Sequence, residues 1–241
     1  MSSEQPKLDA IAAYDLIAPG FRELSERRRA YLDAVEALVI SRVPKHAKSL
    51  LDVGAGDGCR ALKIAEAVGI REVVLAEPSP GMRALIPSAY ETWDADMEAL
   101  PSGRKFDVVL CLWNVLGHVP TEHRVNGLKN LARLCTDGGV IFLDVLNRYN
   151  IAECGPLTVI GRRLRDTLLP SKRNGDVDVK WIVDGRAVQT DGHTFTAEEM
   201  NGLSERAGLS AIEHVVLNYR TGERQSRLSA GSFFYVLRPI R

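Results

Sequence analysis

A strand that leads directly into a glycine loop and then a helix is the feature that most restricts how this chain can fold. The apolar run 49–53 ends at the glycines of segment 54–58, and apolar residues at helical spacing follow over 61–68. Glycines at such a junction let the backbone turn sharply and let a ligand approach it closely. A Walker-type phosphate loop is excluded because no Gly-Lys-Ser/Thr follows, and the glycines are spaced differently from those of dinucleotide-binding loops. Asp52, just before the loop, favours a ligand with a cationic amino group over a phosphate.

The alternation of apolar strands and helices continues to residue 145. Further apolar runs are found at 72–77, 106–112 and 140–145, with helical patterns between them and a turn predicted at 137–139. A short third strand is predicted at 89–94. Strands that are apolar throughout are typical of parallel sheets covered by helices on both faces. The chain is therefore predicted to be an α/β protein with a doubly wound sheet, whose ligands bind beyond the carboxyl ends of the strands.

Residues 148–195 interrupt this alternation. Asp184-Gly185 lies between the alternating runs 178–183 and 186–190, which predicts a β-hairpin. Two final strands are predicted at 211–219 and 232–237. We interpret 148–195 as an inserted substrate cap over the carboxyl ends of the strands. The cap contains a cluster of basic residues: Arg162, Arg163, Arg165, Lys172 and Arg173.

Charge and hydropathy exclude several classes of protein. The 31 Lys and Arg residues balance 31 Asp and Glu residues, which argues against a dedicated nucleic-acid binder. No run of eighteen apolar residues is present, so we expect no membrane partner. The first ten residues show no secretory pattern, which favours a cytoplasmic protein, and the four cysteines are expected to be free thiols.

Two carboxylates follow later strands at positions suited to an adenosine. Glu77 ends the second strand, where a carboxylate can accept hydrogen bonds from both ribose hydroxyls. Asp96 and Met97 follow the third strand, where they could contact an adenine edge, with Met97 or Met82 against the ring. The alternatives are a loop-stabilising role for Asp52, a surface acid at a helix start for Glu77 and helix capping or solvent exposure for Asp96.

Together these segments resemble the class I S-adenosylmethionine (SAM) dependent methyltransferases over about residues 40–240. The segments are LLDVGAGDG at 50–58, Glu77 in VVLAEP, Asp96 in DADMEALP, FDVVLCLWNVLGHV at 106–119 and DGGVIFLDV at 137–145. The resemblance implies a Rossmann-like, mostly parallel sheet of seven strands with an antiparallel last strand. It also implies a helical lid at 1–44 and a SAM-binding domain at 45–241.

The same resemblance implies SAM as the methyl donor and S-adenosylhomocysteine as the product. No metal is expected, because Leu112-Trp113-Asn114 stands where metal-dependent catechol-type enzymes carry an acid. The residues expected around SAM lie at strand ends or in the lid: Asp52, Gly54, Ala55, Gly56, Gly58, Glu77, Pro78, Met82, Asp96, Met97, Asn114, Tyr14 and Arg27.

Catalytic residues are expected after the fourth and fifth strands. His118 is the candidate base, because the unperturbed pKa of histidine lies near neutrality, although it could equally cap or pack. Asn147, Arg148 and Tyr149 form a polar strand exit that could supply amide hydrogen bonds, an anion contact and an aromatic wall. This stretch is loosely similar to one in glycine N-methyltransferases.

The expected activity is in-line methyl transfer to a nitrogen or oxygen of a small molecule by a monomer or homodimer. One alternative is a methyltransferase of RNA or protein, for which the basic cluster at 162–173 is the support. Another is a SAM-binding protein without catalytic activity.

Overall fold

The computed structural model describes residues 7–183 and 186–240. The N-terminal segment forms three helices, α1 (Ala10–Ile17), α2 (Phe21–Glu26) and α3 (Arg29–Ile40). Asp9 begins α1 by accepting a hydrogen bond from the Ala12 amide at 2.8 Å. A 3₁₀ turn at Ala18–Gly20, which contains Pro19 and Gly20, separates α1 from α2.

Strands and helices then alternate through the middle of the chain. They are β1 (Ser49–Val53), α4 (Cys59–Val68), β2 (Glu72–Ala76), α5 (Pro80–Arg83), β3 (Glu91–Trp93), β4 (Phe106–Cys111), α6 (Arg124–Leu134) and β5 (Cys135–Val145). Residues 137–139 do not form a separate turn, because the extended β5 runs through them. The β4–β5 register shifts between Phe106 and Val108. This irregularity accommodates the two glycines inside a strand.

The remaining elements form the inserted segment and the end of the chain. They are α7 (Ile151–Cys154), α8 (Pro156–Leu168), β6 (Asp176–Val183), β7 (Arg186–His193), α9 (Ala197–Arg206), β8 (Leu209–Leu217), β9 (Arg224–Gln225) and β10 (Ser232–Pro239). Strands β6 and β7 pair antiparallel as a hairpin, as predicted. The turn residues Asp184 and Gly185 lie outside the described residues.

The main sheet has the order β3-β2-β1-β4-β5-β10-β8-β9. The pairs among β1 to β5 are parallel, and β10 is antiparallel to both β5 and β8. The predicted α/β fold with a doubly wound, mostly parallel sheet is confirmed. The two-residue β9 adds an eighth strand at the edge.

Apolar side chains cover both faces of the sheet. Helices α6 and α9 pack on one face, where Leu131 and Met200 join the core cluster with Ile141. Helices α3 and α4 pack on the other, where Val35 and Ile64 are fully buried. The carboxyl ends of β1, β2, β4 and β5 are left to form a site. None of the helices in the described ranges is both long and apolar enough to span a bilayer.

Candidate active site

A cavity of about 340 Å³ lies beyond the carboxyl ends of β1, β2 and β4. Its walls are the glycine loop, the segments after β2 and β3, helix α1 and the loop after β4. Many residues expected around a ligand line it: Tyr14, Gly54, Ala55, Gly56, Glu77, Pro78, Met82, Asp96, Met97 and His118. The structure thus brings together side chains that are far apart in the sequence.

The glycine loop has a conformation that only glycine adopts without strain. Gly54, Gly56 and Gly58 have φ angles of 72°, 60° and 72°. A Cβ on Gly54 would lie 2.5 Å from Cγ2 of Val115 across the loop. Gly58 does not line the cavity. It allows the loop to pack closely against β2, since a Cβ there would lie 2.8 Å from Cδ1 of Leu75. Two glycines therefore shape the cavity wall, and the third packs the loop against β2.

Glu77 holds the glycine loop at the end of β2. Its carboxylate accepts the Gly56 amide at 2.8 Å and the Ser79 amide at 2.9 Å. Burial raises the pKa of Glu77, and the two backbone donors oppose that shift. Each carboxylate oxygen retains a lone pair for a further donor. Glu77 can therefore hold the loop and bind a ligand hydroxyl at the same time.

Asp96 and Met97 form the wall beyond β3. Oδ1 of Asp96 accepts the amides of Glu98 at 2.8 Å and Ala99 at 2.9 Å, so Asp96 also caps the following turn. Met97 is buried against Gly127, where a Cβ would come within 2.5 Å of the methionine sulfur. The capping role of Asp96 and its position at the cavity are compatible.

Asp52 lies behind the cavity and does not line it. Its side chain is buried, and burial raises its pKa to about 7, an effect that the nearby Arg60 partly opposes. Asp52 was expected to contact the ligand, but it is not among the residues that line the cavity. It lies in β1, and the glycine loop that follows it supplies the cavity wall.

Arg60 is a cavity residue that the sequence analysis missed. Its guanidinium carbon lies 5.7 Å from the centre of the Trp113 ring, and Nη1 is buried without a hydrogen-bond partner in the part of the chain that the structure describes. The sequence did contain a signal for Arg60, because it lies in the first turn of α4, where the helix dipole disfavours a cation.

Two consecutive residues after β4 have left-handed backbones, with φ angles of 65° at Trp113 and 61° at Asn114. Asparagine adopts this conformation readily, whereas a bulky residue such as Trp113 is strained in it. The buried Asp144 of β5 accepts the Trp113 amide at 2.5 Å and the Tyr31 hydroxyl at 2.6 Å. Asn114 accepts the Leu146 amide at 2.9 Å. Such strain persists only where its surroundings enforce it, and it concentrates at functional sites.

Tyr14 and His118 join helix α1 to the loop after β4. Nε2 of His118 lies 3.2 Å from the Tyr14 hydroxyl, and Nδ1 lies 2.9 Å from the carbonyl oxygen of Asp191. A carbonyl can only accept, so Nδ1 carries the proton and Nε2 accepts from Tyr14. Burial lowers the pKa of His118 and raises that of Tyr14. The imidazole is therefore neutral near pH 7.

A second cavity of about 600 Å³ adjoins the first and shares Tyr14, Phe21, Trp113 and His118 with it. Asn114 lines this second cavity and not the first. The aromatic rings of Trp181 and Tyr219 add to its walls. Four cations also line it, namely Arg27, Arg28, Lys180 and Arg220, and none of its described lining residues is acidic.

Arg27 was expected at the ligand cavity, but the structure places it at the second one. Its Nη2 lies 3.0 Å from Glu23, one helical turn away, and its side chain is mostly exposed. Arg27 directly follows the short helix α2 and lines the second cavity, which we also call the outer cavity. Arg27 therefore lies apart from the glycine loop.

Asn147, Arg148 and Tyr149 line neither of these cavities, which corrects their expected catalytic position. Asn147 donates to the carbonyl oxygens of Leu228 and Gly231 at 2.7 and 2.8 Å. Arg148 forms a two-point ion pair with Asp166 of α8, which also accepts the Tyr149 hydroxyl. These contacts direct the polar strand exit toward the inserted segment and away from the glycine loop.

Known methyltransferases resemble this chain in sequence and in structure. A family model described as "Methyltransferase domain" matches residues 24–214. A glycine N-methyltransferase from Oryctolagus cuniculus is 33% identical over 85 residues, which cover 33% of this chain and 28% of that protein. The chain thus matches less than a third of the length of this curated relative.

Two solved structures share the fold. A sugar N-methyltransferase from Streptoalloteichus sp. superposes with a TM-score of 0.60 at 22% identity, covering 99% of this chain and 97% of that one. A SAM-bound amino pentose methyltransferase from Micromonospora echinaspora gives a TM-score of 0.61 at 17% identity, with coverages of 90% and 95%. The two chains and this one therefore have the same architecture over nearly their full lengths.

Replacing Asp144 tests its role behind the strained turn. Asp144→Ala is expected to lower the free energy of unfolding by about 2–5 kcal/mol, because two buried donors, the Trp113 amide and the Tyr31 hydroxyl, lose their acceptor. Urea unfolding measures this. Asp137→Ala in the same strand is the control, since that side chain is 82% exposed. Equal effects of the two substitutions would contradict the assignment.

The protonation state of His118 is measurable by NMR of its ring, assigned with His118→Gln. We expect its pKa to lie below about 6.5, the unperturbed value. As the pH falls, the unfolded chain takes up this proton before the folded one does. The contribution of His118 to stability is therefore present above about pH 6.5 and is lost as the pH falls through the folded-state pKa. A midpoint at or above 6.5 would refute the neutral imidazole.

Proposed function

Because the chain belongs to the methyltransferase domain family, which confirms its resemblance to class I SAM-dependent methyltransferases, we propose that it methylates a nitrogen or oxygen atom of a small molecule. The observation that carries this proposal is the pair of adjoining cavities, which share Tyr14, Trp113 and His118. SAM bound in the first cavity supplies an electrophilic methyl group, which the acceptor atom attacks in line with the departing sulfur.

The residues of the first cavity fit SAM in shape and charge. Gly54 and Gly56 keep the loop free of side chains, and Glu77 would accept the ribose hydroxyls. Asp96 would accept from the adenine amino group, with Met97 and Met82 beside the ring. The buried carboxyl of Glu77, with that of Asp52 behind the cavity, favours a cation such as an ammonium or a sulfonium.

Arg60 fits the carboxylate of the methionine part. Its buried Nη1 has no partner within the described residues, and an anion would satisfy it. A carboxylate there would give Arg60 a role that packing against Trp113 alone does not.

In the second cavity, Tyr14 and His118 are positioned to take a proton from the acceptor. The Tyr14 hydroxyl donates to Nε2 of His118, so its oxygen is free to accept a proton from an acceptor N–H or O–H. The Tyr14 proton would then pass to Nε2, and the Asp191 carbonyl would hold the resulting imidazolium at Nδ1. Tyr14 and His118 would then be the catalytic residues.

The charge of the second cavity favours an acidic acceptor. Arg28 and Arg220 share the single carboxylate of Glu153, at 3.6 and 2.7 Å. The pair of arginines thus keeps an excess positive charge, to which Lys180 adds. A ring with a carboxylate or phosphate group would match these cations and the aromatic walls of Trp181 and Tyr219.

We further propose that the N-terminal helices act as a lid and the inserted segment as a substrate cap. Helix α1 contributes Tyr14 to both cavities, and strand β6 contributes Trp181 to the second. The rings of Tyr14 and Trp181 meet edge to face, 5.5 Å apart. Lid and cap would therefore close on the acceptor together.

Glu77→Ala tests the SAM site. We expect the dissociation constant for SAM to rise by about 10- to 100-fold, because hydrogen bonds to a buried carboxylate and the support of Gly56 are lost. Isothermal titration calorimetry measures the constant. Glu72→Ala, an exposed glutamate at the start of the same strand, should leave it unchanged. An unaltered affinity of Glu77→Ala would remove the ribose role.

Release of S-adenosylhomocysteine tests the activity itself. The purified chain is given SAM with a panel of amino sugars, amino acids and hydroxylated aromatic acids, each beside a neutral analogue. We expect turnover with acceptors that carry a carboxylate or phosphate, and a lower KM for these than for their analogues. Turnover on RNA or protein alone would favour a macromolecular methyltransferase. SAM binding without any turnover would favour a non-catalytic SAM-binding protein.

A further inference from the structure

Helix α8 carries a row of apolar side chains that no described part of the chain covers. Leu157, Ile160, Leu164 and Leu168 are 83%, 54%, 58% and 74% exposed. Their spacing of three, four and four residues puts them on one side of the helix, and the exposed Leu169 follows. We call Leu157, Ile160, Leu164 and Leu168 the α8 stripe. Contiguous apolar surface of this kind on a protein marks an interaction site.

Cations border the α8 stripe on both sides. At about 100° per residue, Arg163 and Arg165 lie about a quarter turn to either side of its centre. Lys172 and Arg173 follow shortly after the helix ends. The single acid of α8, Asp166, is bound by Arg148 and Tyr149 on the other side of the helix. The stripe and its border thus combine apolar and positive character without a free carboxylate of α8.

A second copy of the chain fits this surface poorly. Two α8 stripes paired about a two-fold axis would place cations against cations. In an antiparallel pair Arg163 would face Arg163, and in a parallel pair Arg163 would face Arg165. An RNA would match the arginines but would leave the leucines in water. A second copy would therefore match only the apolar side chains of this surface, and an RNA only its cations.

We propose that α8 docks the protein on a membrane surface rich in anionic lipids. Lying in the plane of the interface, the helix would bury the α8 stripe among acyl chains and place Arg163 and Arg165 among anionic headgroups. Such a helix needs no spanning segment. The proposal departs from the expectation of no membrane partner, which was drawn from the lack of such a segment. The α8 stripe lies outside both cavities, so this proposal does not depend on methyl transfer.

Vesicle co-sedimentation with the full chain tests the proposal. We expect binding to vesicles of phosphatidylcholine mixed with phosphatidylserine, weaker binding as salt rises, and little binding to phosphatidylcholine alone. The double variant Leu164→Glu, Leu168→Glu should weaken binding by more than about tenfold, because two leucines no longer enter the apolar layer. Arg163→Gln with Arg165→Gln should weaken it by about 10- to 30-fold.

Ile212→Glu is the matched control, because Ile212 is also about half exposed but lies on β8. It should bind vesicles as the unsubstituted chain does. SAM affinity and circular dichroism show that each variant is folded. Equal binding by the leucine variant would overturn the proposal. Absence of vesicle binding would also overturn it. A dimer in sedimentation that the leucine substitutions dissociate would then favour a second copy as the partner, and RNA binding that the arginine substitutions abolish would favour RNA.

Discussion

The hydrogen bonds of one buried carboxylate, Asp144, link the sheet to the elements that surround the carboxyl ends of its strands. Asp144 accepts from the Trp113 amide and the Tyr31 hydroxyl, and so connects β5, the strained turn after β4 and helix α3. Trp113 in turn donates to the Tyr219 hydroxyl at 3.0 Å and forms a wall of both cavities. The Asp144 carboxylate thus holds the backbone of one of two adjacent residues with positive φ angles, and the Leu146 amide, which donates to Asn114, holds the other.

Burial of acidic side chains also determines the electrostatics at the carboxyl ends of the strands. Asp52, Glu77 and Asp144 are each at most 6% exposed, and burial raises the pKa of all three. Arg60 opposes the shift at Asp52 and at Asp144. A region with more buried carboxyls than cations is stabilised by a positively charged ligand. The outer cavity has the opposite balance, with four cations along its lining. The described linings of the two cavities therefore differ in charge. The function proposed above would place a positively charged donor in the first and an acidic acceptor in the second.

The sequence predicted the parts of the site that depend on local pattern. The glycines of 54–58 and Glu77 follow strands whose apolar runs are easily recognised, and Asp96 follows the short, mostly exposed strand β3. The topology of a parallel sheet brings these strand ends together. Residues whose position depends on distant contacts were less predictable. Arg148 pairs with Asp166, which lies 18 residues further along the chain, and this pair directs the polar strand exit away from the glycine loop. No periodicity in the sequence predicts that ion pair. Likewise Tyr14 meets His118 only because helix α1 folds over the sheet.

Contacts between the N-terminal segment and the hairpin suggest how the outer cavity is controlled. Leu8 donates to the Gln189 carbonyl at 2.9 Å and accepts from the Thr190 hydroxyl at 2.9 Å. Lys7 pairs with Asp178 at 2.7 Å. These bonds join the residues before α1 to β6 and β7. His118 then joins α1 and β7 to the loop after β4, through Tyr14 on one ring nitrogen and Asp191 on the other. In the proton relay proposed above, an acceptor that engages Tyr14 would therefore alter the contact through which His118 holds α1. Proton transfer and the position of α1 would then both depend on the Tyr14–His118 hydrogen bond.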